Sequence, residues 1–284
     1  MKISDWQYYN HAAIPKTAPH ETPNLTPISD GSIWSIEGKH PFLARYTTNW
    51  DCGYDTGWWY IIKDTPFDIS ALKTKRRYEI TKALRFFDVK EINPTEYADE
   101  LAYVQEKAFS AYPPKYRPVF NKESFAKSVN EWSKQIEFGQ LKVFGAFYKE
   151  NFKLVGYSLI NIQSSFLEFS VQKTIPDFEK YNVNAALVNG ILDSFKDNLS
   201  KGCYICDGSR AINHETHFQD YLEKYFGFRK SYCKLNIVYF TPYKLIIAIL
   251  FPFRRIFFLL GRRIGFFHQI YALLKMEKIV RGCK

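Results

Sequence analysis

Glu179-Lys180-Tyr181-Asn182-Val183-Asn184-Ala185-Ala186-Leu187 is the stretch on which the reading of the fold turns. Polar residues lead into a run in which Ala186, Leu187, Gly190, Ile191, Ser194 and Phe195 recur at helical spacing, predicting a helix from Val183 to Leu199. Upstream, Leu141–Tyr148, Leu154–Ile162 and Phe166–Val171 are apolar runs with short turns between them, which predicts an antiparallel meander. Downstream come a short strand at Tyr204–Cys206, a helix at Phe218–Tyr225 and a last strand at Ser231–Tyr239. Three strands, a helix, a strand, a helix and a strand predict an α+β (α/β-like) class: a mixed, mostly antiparallel sheet flanked by helices.

That order, with its local residues, resembles the GNAT acyltransferase superfamily over residues 140–240. In that family the loop Gln/Arg-x-x-Gly-x-Gly/Ala opens a helix and holds the pyrophosphate of acyl-CoA on backbone amides, where free N–H groups and the helix dipole make an anion site. The resemblance implies acyl-CoA as co-substrate, held at Asn182, Val183, Asn184 and Ala185. Asn182 and Asn184 stand where the family has its small residues, and Asn is the non-glycine residue most at ease in left-handed backbone. Glu179 stands where the family has Gln or Arg, and a carboxylate there repels a pyrophosphate. The stretch Glu223-Lys224-Tyr225-Phe226-Gly227-Phe228-Arg229-Lys230 looks like the family's helix end, its Gly-Phe and its last strand, with Gly227 as helix stop. The family's acid, a Tyr four residues before that Gly, is Glu223 here, with Tyr221 and Tyr225 nearby. Lys75-Arg76-Arg77-Tyr78-Glu79-Ile80-Thr81-Lys82-Ala83, following a strand, is similar to the Fem-type aminoacyltransferases. That second resemblance implies aminoacyl-tRNA as donor.

Between the two halves lies the most titratable stretch of the chain, Cys206-Asp207-Gly208-Ser209-Arg210-Ala211-Ile212-Asn213-His214-Glu215-Thr216. It follows a strand, where sheets of this kind place their sites. Asp207, Arg210, His214 and Glu215 are candidates for a base, an anion clamp and an orienting carboxylate. Glu168, on the preceding strand, is a second candidate base. The same stretch also reads as a capped loop, with Asp207 starting a turn and Thr216 capping the next helix. Cys203 and Cys206 form a C-x-x-C with no second pair at zinc spacing, so no metal is expected.

The remaining organisation follows from composition. Residues 1–30, rich in Pro, Thr, His and Asn, read as an extended arm. Residues 31–90 read as a strand and helix subdomain, with strands at Ser32–Ile36, Phe42–Tyr46 and Gly57–Lys63 and a helix capped by Asp68 or Ser70. Residues 91–240 read as the GNAT-like domain, with a rigid aromatic loop at Ala111–Val119 that lines a pocket or crosses the surface. Net charge is +10, but nine Lys/Arg against the single acid Glu277 fall after Phe240, so the body is nearly neutral. A nucleic-acid surface is therefore not expected, unless aminoacyl-tRNA is the donor. Five cysteines and a polar start without an apolar leader predict a reduced, cytoplasmic chain. In residues 241–284 no apolar run reaches spanning length, and Arg254-Arg255 and Arg262-Arg263 alternate with Phe, Leu and Ile. That tail predicts an amphipathic helical segment lying on the inner face of a membrane. The expected activity is N- or O-acyl transfer to a small-molecule or lipid-linked acceptor, a cell-envelope, lipid or sugar precursor. A Fem-like aminoacyl transfer and a non-catalytic GNAT-like binding protein are the alternatives.

Overall fold

A computed structural model describes residues 5–212 and 217–282. Along the chain run β1 (Trp6–Tyr9), β2 (Ala12–Pro15), α1 (Thr26–Ser29), β3 (Leu43–Thr48), β4 (Trp59–Lys63), α2 (Thr74–Phe86), β5 (Phe87–Glu91) and α3 (Ala98–Ser110). Next come α4 (Lys122–Glu137), β6 (Leu141–Tyr148), β7 (Lys153–Ile162), β8 (Phe166–Thr174), α5 (Val183–Ser194), α6 (Lys196–Ser200) and β9 (Tyr204–Ser209). The chain closes with α7 (His217–Phe226), β10 (Arg229–Tyr232), β11 (Lys234–Tyr239), α8 (Thr241–Leu250), α9 (Arg254–Gly261) and α10 (Gly265–Val280). The class is α+β, with mostly antiparallel sheet flanked by helices. The residues divide into two compact units, one of Ile62–Gly208 with Gln219–Arg229, the other of Met1–Ile61, Ser209–Phe218 and Lys230–Lys284.

A seven-stranded sheet has the order β10-β4-β9-β8-β7-β6-β5. Its β6–β8 part is the expected antiparallel meander, β5 adds to it antiparallel on β6, and β8 to β9 is the parallel step. α5, lined by Ala186, Leu187, Val188 and Ile191, buries its apolar face on β5, β6 and β7. The approach is close enough that a Cβ on Gly190 would lie 2.6 Å from Val89 Cγ1, which is why this helix position has no side chain. α3 covers β7 and β8 from the other face and packs on α4. Asp99 and Glu100 open α3 and Lys107 lies in its last turn, matching the helix dipole. α4 starts where the Asn121 side chain accepts from Ser124 N at 2.7 Å, and it buries Phe125 and Val129. Its Trp132 meets Tyr157 of β7, whose hydroxyl bonds Gln105 of α3.

Four expectations are corrected here. Asp68 caps a 3-10 turn at Ile69–Ala71, and the helix itself begins at Thr74. Ser32–Trp34 is a 3-10 turn, not a strand. The predicted helix to Leu199 breaks at Phe195, a buried residue whose ring sits edge-on to Phe144. The last strand is two strands: β10 lies in the seven-stranded sheet and β11 in a second sheet, with the break at Cys233. The buried Cys233 donates its N–H to Trp58 O, an anchor that lets the chain change sheets.

The second sheet has the order β1-β2-β3-β11 and belongs to the other unit. Residues 1–30 are more than an arm. Tyr9 pairs with Ala12 across Asn10 and His11, both left-handed (φ 46° and 64°), the geometry of a two-residue hairpin turn. Trp6 and Ala13 are fully buried with Ile33, Ile36 and Ala44, and Trp6 Nε1 donates to Asn24 O at 2.9 Å. A neighbouring cluster holds Trp58, Cys233 and Leu235 against Met276, Ile279 and Val280 of α10.

Candidate functional site

β8 is where the sheet opens. It pairs in parallel with β9 only at Phe166↔Tyr204, Leu167↔Ile205 and Glu168↔Cys206. On its other side β7 passes from Ile160↔Phe169 to Leu159↔Val171, so Ser170 is an extra, bulged residue that bends β8. The ladder to β9 ends at Glu168 while β8 runs on to Thr174 and β9 to Ser209, leaving the backbone edge of 169–174 without a strand partner on that side. Such an edge accepts an extended chain.

Two carboxylates lie near this opening, Glu168 at the last paired position and Asp207 one residue beyond its partner Cys206. Burial pushes Glu168 above the ordinary carboxylate range, against a hydrogen bond from Asn161 of β7. Asp207, one residue beyond the last paired position, is pushed up to about 7 by burial first and then by the charge of Glu168, with a bond from Gln219 pulling the other way. Gln219 also donates to Asp207 O at 2.9 Å, tying α7 to β9. Cys206 is fully buried, and burial pushes its thiol well above its ordinary value, which disfavours the thiolate. A carboxyl group that titrates near neutrality beside a second carboxylate is the arrangement general acid–base chemistry uses.

The predicted donor loop keeps its shape without glycine. Asn182 is left-handed (φ 63°, ψ 41°), its N–H donating to Glu179 O at 2.9 Å, and α5 starts from it. Val183 and Ala185 are buried, and Ala185 N is taken up by Asn182 O at 2.9 Å. The turn therefore presents the first N–H groups of α5, at Val183 and Asn184, more than the amide of Ala185. Asn184 Oδ1 accepts from Gln172 of β8 at 2.9 Å, leaving the buried Gln172 Oε1 unbonded. Gln172, Lys173, Thr174, Pro176 and Glu179 line a groove of about 300 Å³ with Tyr112 and Pro113 of the aromatic loop. Lys173 Nζ donates to Tyr112 Oη at 3.3 Å, so that loop lines a groove. Two larger grooves of about 470 Å³ gather around Tyr97, Phe147 and Phe152 and contain neither carboxylate.

Other predicted residues lie differently. Arg210 belongs to the other unit, where its guanidinium donates to Gly57 O at 2.6 Å and its N–H to Trp59 O. His214 and Glu215 lie outside the described residues. Arg76, in the basic Fem-like stretch, bonds Glu79 at 3.0 Å and stacks on Tyr225 at 4.0 Å. Tyr221 is kept protonated by burial. Among the described residues no three His, Cys, Asp or Glu side chains are grouped to hold a metal. Asn161, Gln172 and Gln219 escape sequence reading, because each is polar on an otherwise ordinary strand or helix and gains meaning only from its partner.

No protein-family model matches the chain, and no curated protein does. Its backbone does match solved structures. FemX superposes with a TM-score of 0.52 at 10% identity, over 78% of this chain and 78% of that one. The C-terminal domain of a putative lysylphosphatidylglycerol synthetase from Agrobacterium fabrum gives 0.51 at 10%, over 86% and 84%. L-PGS from Bacillus licheniformis gives 0.51 at 12%, over 91% and 85%. At these identities the likeness is one of fold: the chain shares the backbone architecture of FemX and of the two lysylphosphatidylglycerol synthetase structures.

Proposed function

We propose that the chain is an acyltransferase that moves an acyl group from an activated ester or thioester to an amine or hydroxyl of a small or lipid-linked envelope precursor. The observation that carries this is the placing of Glu168 and Asp207 within one residue of each other's register where the β8–β9 ladder ends, close enough for the charge of one to raise the other. The ionised carboxylate of the pair takes the proton of the acceptor N–H or O–H. The freed lone pair attacks the acyl carbonyl, forming the new C–N or C–O bond. Backbone N–H groups at the open β8 edge face the developing oxyanion. Collapse breaks the C–S or C–O bond to the donor, and the proton held by the carboxylate leaves with the departing sulfur or oxygen.

The donor lies along the β8 edge toward Asn182–Asn184, with acyl-CoA as the first reading. Aminoacyl-tRNA is the second, favoured by Asp177 and Glu179 in the turn before α5, which repel a pyrophosphate at the helix start.

The test is turnover of labelled acetyl-CoA, long-chain acyl-CoA and aminoacyl-tRNA by the purified protein, alongside Glu168→Gln and Asp207→Asn. Replacing the base lowers kcat/KM by about 10²–10⁴-fold. The proposal fails if no donor is consumed and none raises the melting temperature, or if both variants turn over like wild type.

A further inference from the structure

The helices after Phe240 carry their apolar side chains on the wrong side for a protein surrounded by water. Ile247, Phe251 and Leu274 form a small buried cluster with Leu250, Phe257 and Ile270, which fixes α8 and α9 on α10. The opposite stripe, Leu245, Ile249, Phe253, Ile256 and Leu260, follows steps of four, four, three and four residues and is exposed throughout. A surface helix ordinarily puts charged and polar residues on that stripe. Leu245 is 65% exposed, Ile249 58% and Leu259 61%, and Ile264 and Phe266 extend the patch. Isolated exposed apolar residues need no explanation, but a contiguous set on adjoining helices marks a contact surface.

Its charge says what kind of surface it meets. Between Thr241 and Ile270 there are five Lys/Arg and no Asp or Glu. Arg255, Arg262 and Arg263 are exposed beside the apolar stripe, while Lys244 begins it. The tail's one acid, Glu277, is buried and spoken for, accepting from Tyr239 Oη at 2.8 Å and Arg281 Nε at 2.6 Å. Apolar side chains rimmed by cations alone fit an anionic lipid leaflet, with the rings and branched chains below the headgroups and the guanidinium groups at the phosphates. No helix of the described residues is long and apolar enough to cross a membrane.

We infer that the outer stripe of α8 and α9, with Ile264 and Phe266, docks in the plane of an anionic bilayer. This deepens the acyl-transfer reading, and rests on it only in that it places the enzyme where a lipid-linked acceptor is met.

The experiment is co-sedimentation of the full chain with vesicles of phosphatidylglycerol and phosphatidylcholine, and of phosphatidylcholine alone. Wild type is expected to sediment with the anionic vesicles and far less with the neutral ones. Ile249→Glu with Ile256→Glu, both at exposed positions, is expected to abolish binding with an unchanged circular dichroism spectrum. Arg255→Ala, Arg262→Ala and Arg263→Ala together are expected to weaken it on the order of 100-fold, from about 1 kcal/mol per basic residue. The inference is overturned by equal binding to both vesicles, by no binding to either, or by a lipid-free dimer that the Ile249→Glu variant dissolves. Transfer to a water-soluble acceptor analogue, measured without vesicles, reports on the chemistry alone, so the two ideas fail separately.

Discussion

Replacing Asp207 by Asn is expected to make the protein more stable in mildly alkaline solution while costing it activity. Burial and the neighbouring Glu168 raise the Asp207 carboxyl from 3.8 to about 7 in the folded chain. Below 3.8 both folded and unfolded chains keep the proton, and the side chain is neutral with respect to stability. Between 3.8 and about 7 the unfolded chain releases the proton first, so the folded state loses stability as pH rises. Above that the loss is complete. At about 1.4 kcal/mol per pH unit the interval gives a ceiling of about 4 kcal/mol, and water reaching the half-buried carboxylate cuts it to about 2 kcal/mol. For a chain of this size that is roughly 5 °C in melting temperature. Asn keeps the shape and the contact to Gln219 without the charge. Differential scanning calorimetry at pH 8 and pH 4.5 decides the matter: a rise of that order at pH 8, and little change at pH 4.5, is expected. An equal fall at both pH values would mean that the carboxylate is not held against its preference, and the acid–base assignment would lose its physical basis.

Three further outcomes follow from the same geometry. The rising limb of kcat/KM against pH, expected near neutrality, moves to lower pH in Glu168→Gln because one repelling charge is gone; an unmoved limb shows that Asp207 does not govern turnover. Asn182→Ala costs about 1 kcal/mol in urea unfolding, since alanine resists the left-handed backbone, whereas Asn182→Gly is close to neutral. Gly190→Ala loses about 1–3 kcal/mol through the clash with Val89, and Val89→Ala in the same chain recovers most of it, read from paired denaturation curves.

The fold was legible where one residue pattern settles one element. The β6–β8 meander and α5 announce themselves because each buries an apolar face of fixed period. The Trp6–Pro15 hairpin does not, because its turn is Asn10-His11 and lacks the glycine that normally marks left-handed turn geometry. The split at Cys233 is hidden for another reason: Ser231–Tyr239 is continuous as a β-forming run, and the bonds of Cys233 to Trp58 O and from Thr56 Oγ1, far away in sequence, mark the break. Within the site, Glu168 and Asp207 were both visible as candidates. What sequence could not supply is that the parallel register sets Glu168 level with Cys206, one residue from Asp207 and near enough for its charge to act on that carboxyl.

The unit built from three separated pieces of chain also sets the order in which this protein can be made. β3 finds its antiparallel partner in β11, pairing Leu43 with Tyr239 and Thr48 with Lys234. About 190 residues of synthesis separate them, about 10–40 s at bacterial elongation rates of roughly 5–20 residues per second. During that interval the β1–β2–β3 ribbon leaves the ribosome with the β3 edge that takes β11 still unpaired, although the cluster around Trp6, Ile33 and Ala44 is packed by residues of the first 46. The meander of the other unit, whose strands are close neighbours in sequence, is complete well before. Expression at lower temperature, or with added chaperones, is therefore the lever for yield, and any fusion or truncation that removes β11 strands the first sixty residues of the chain.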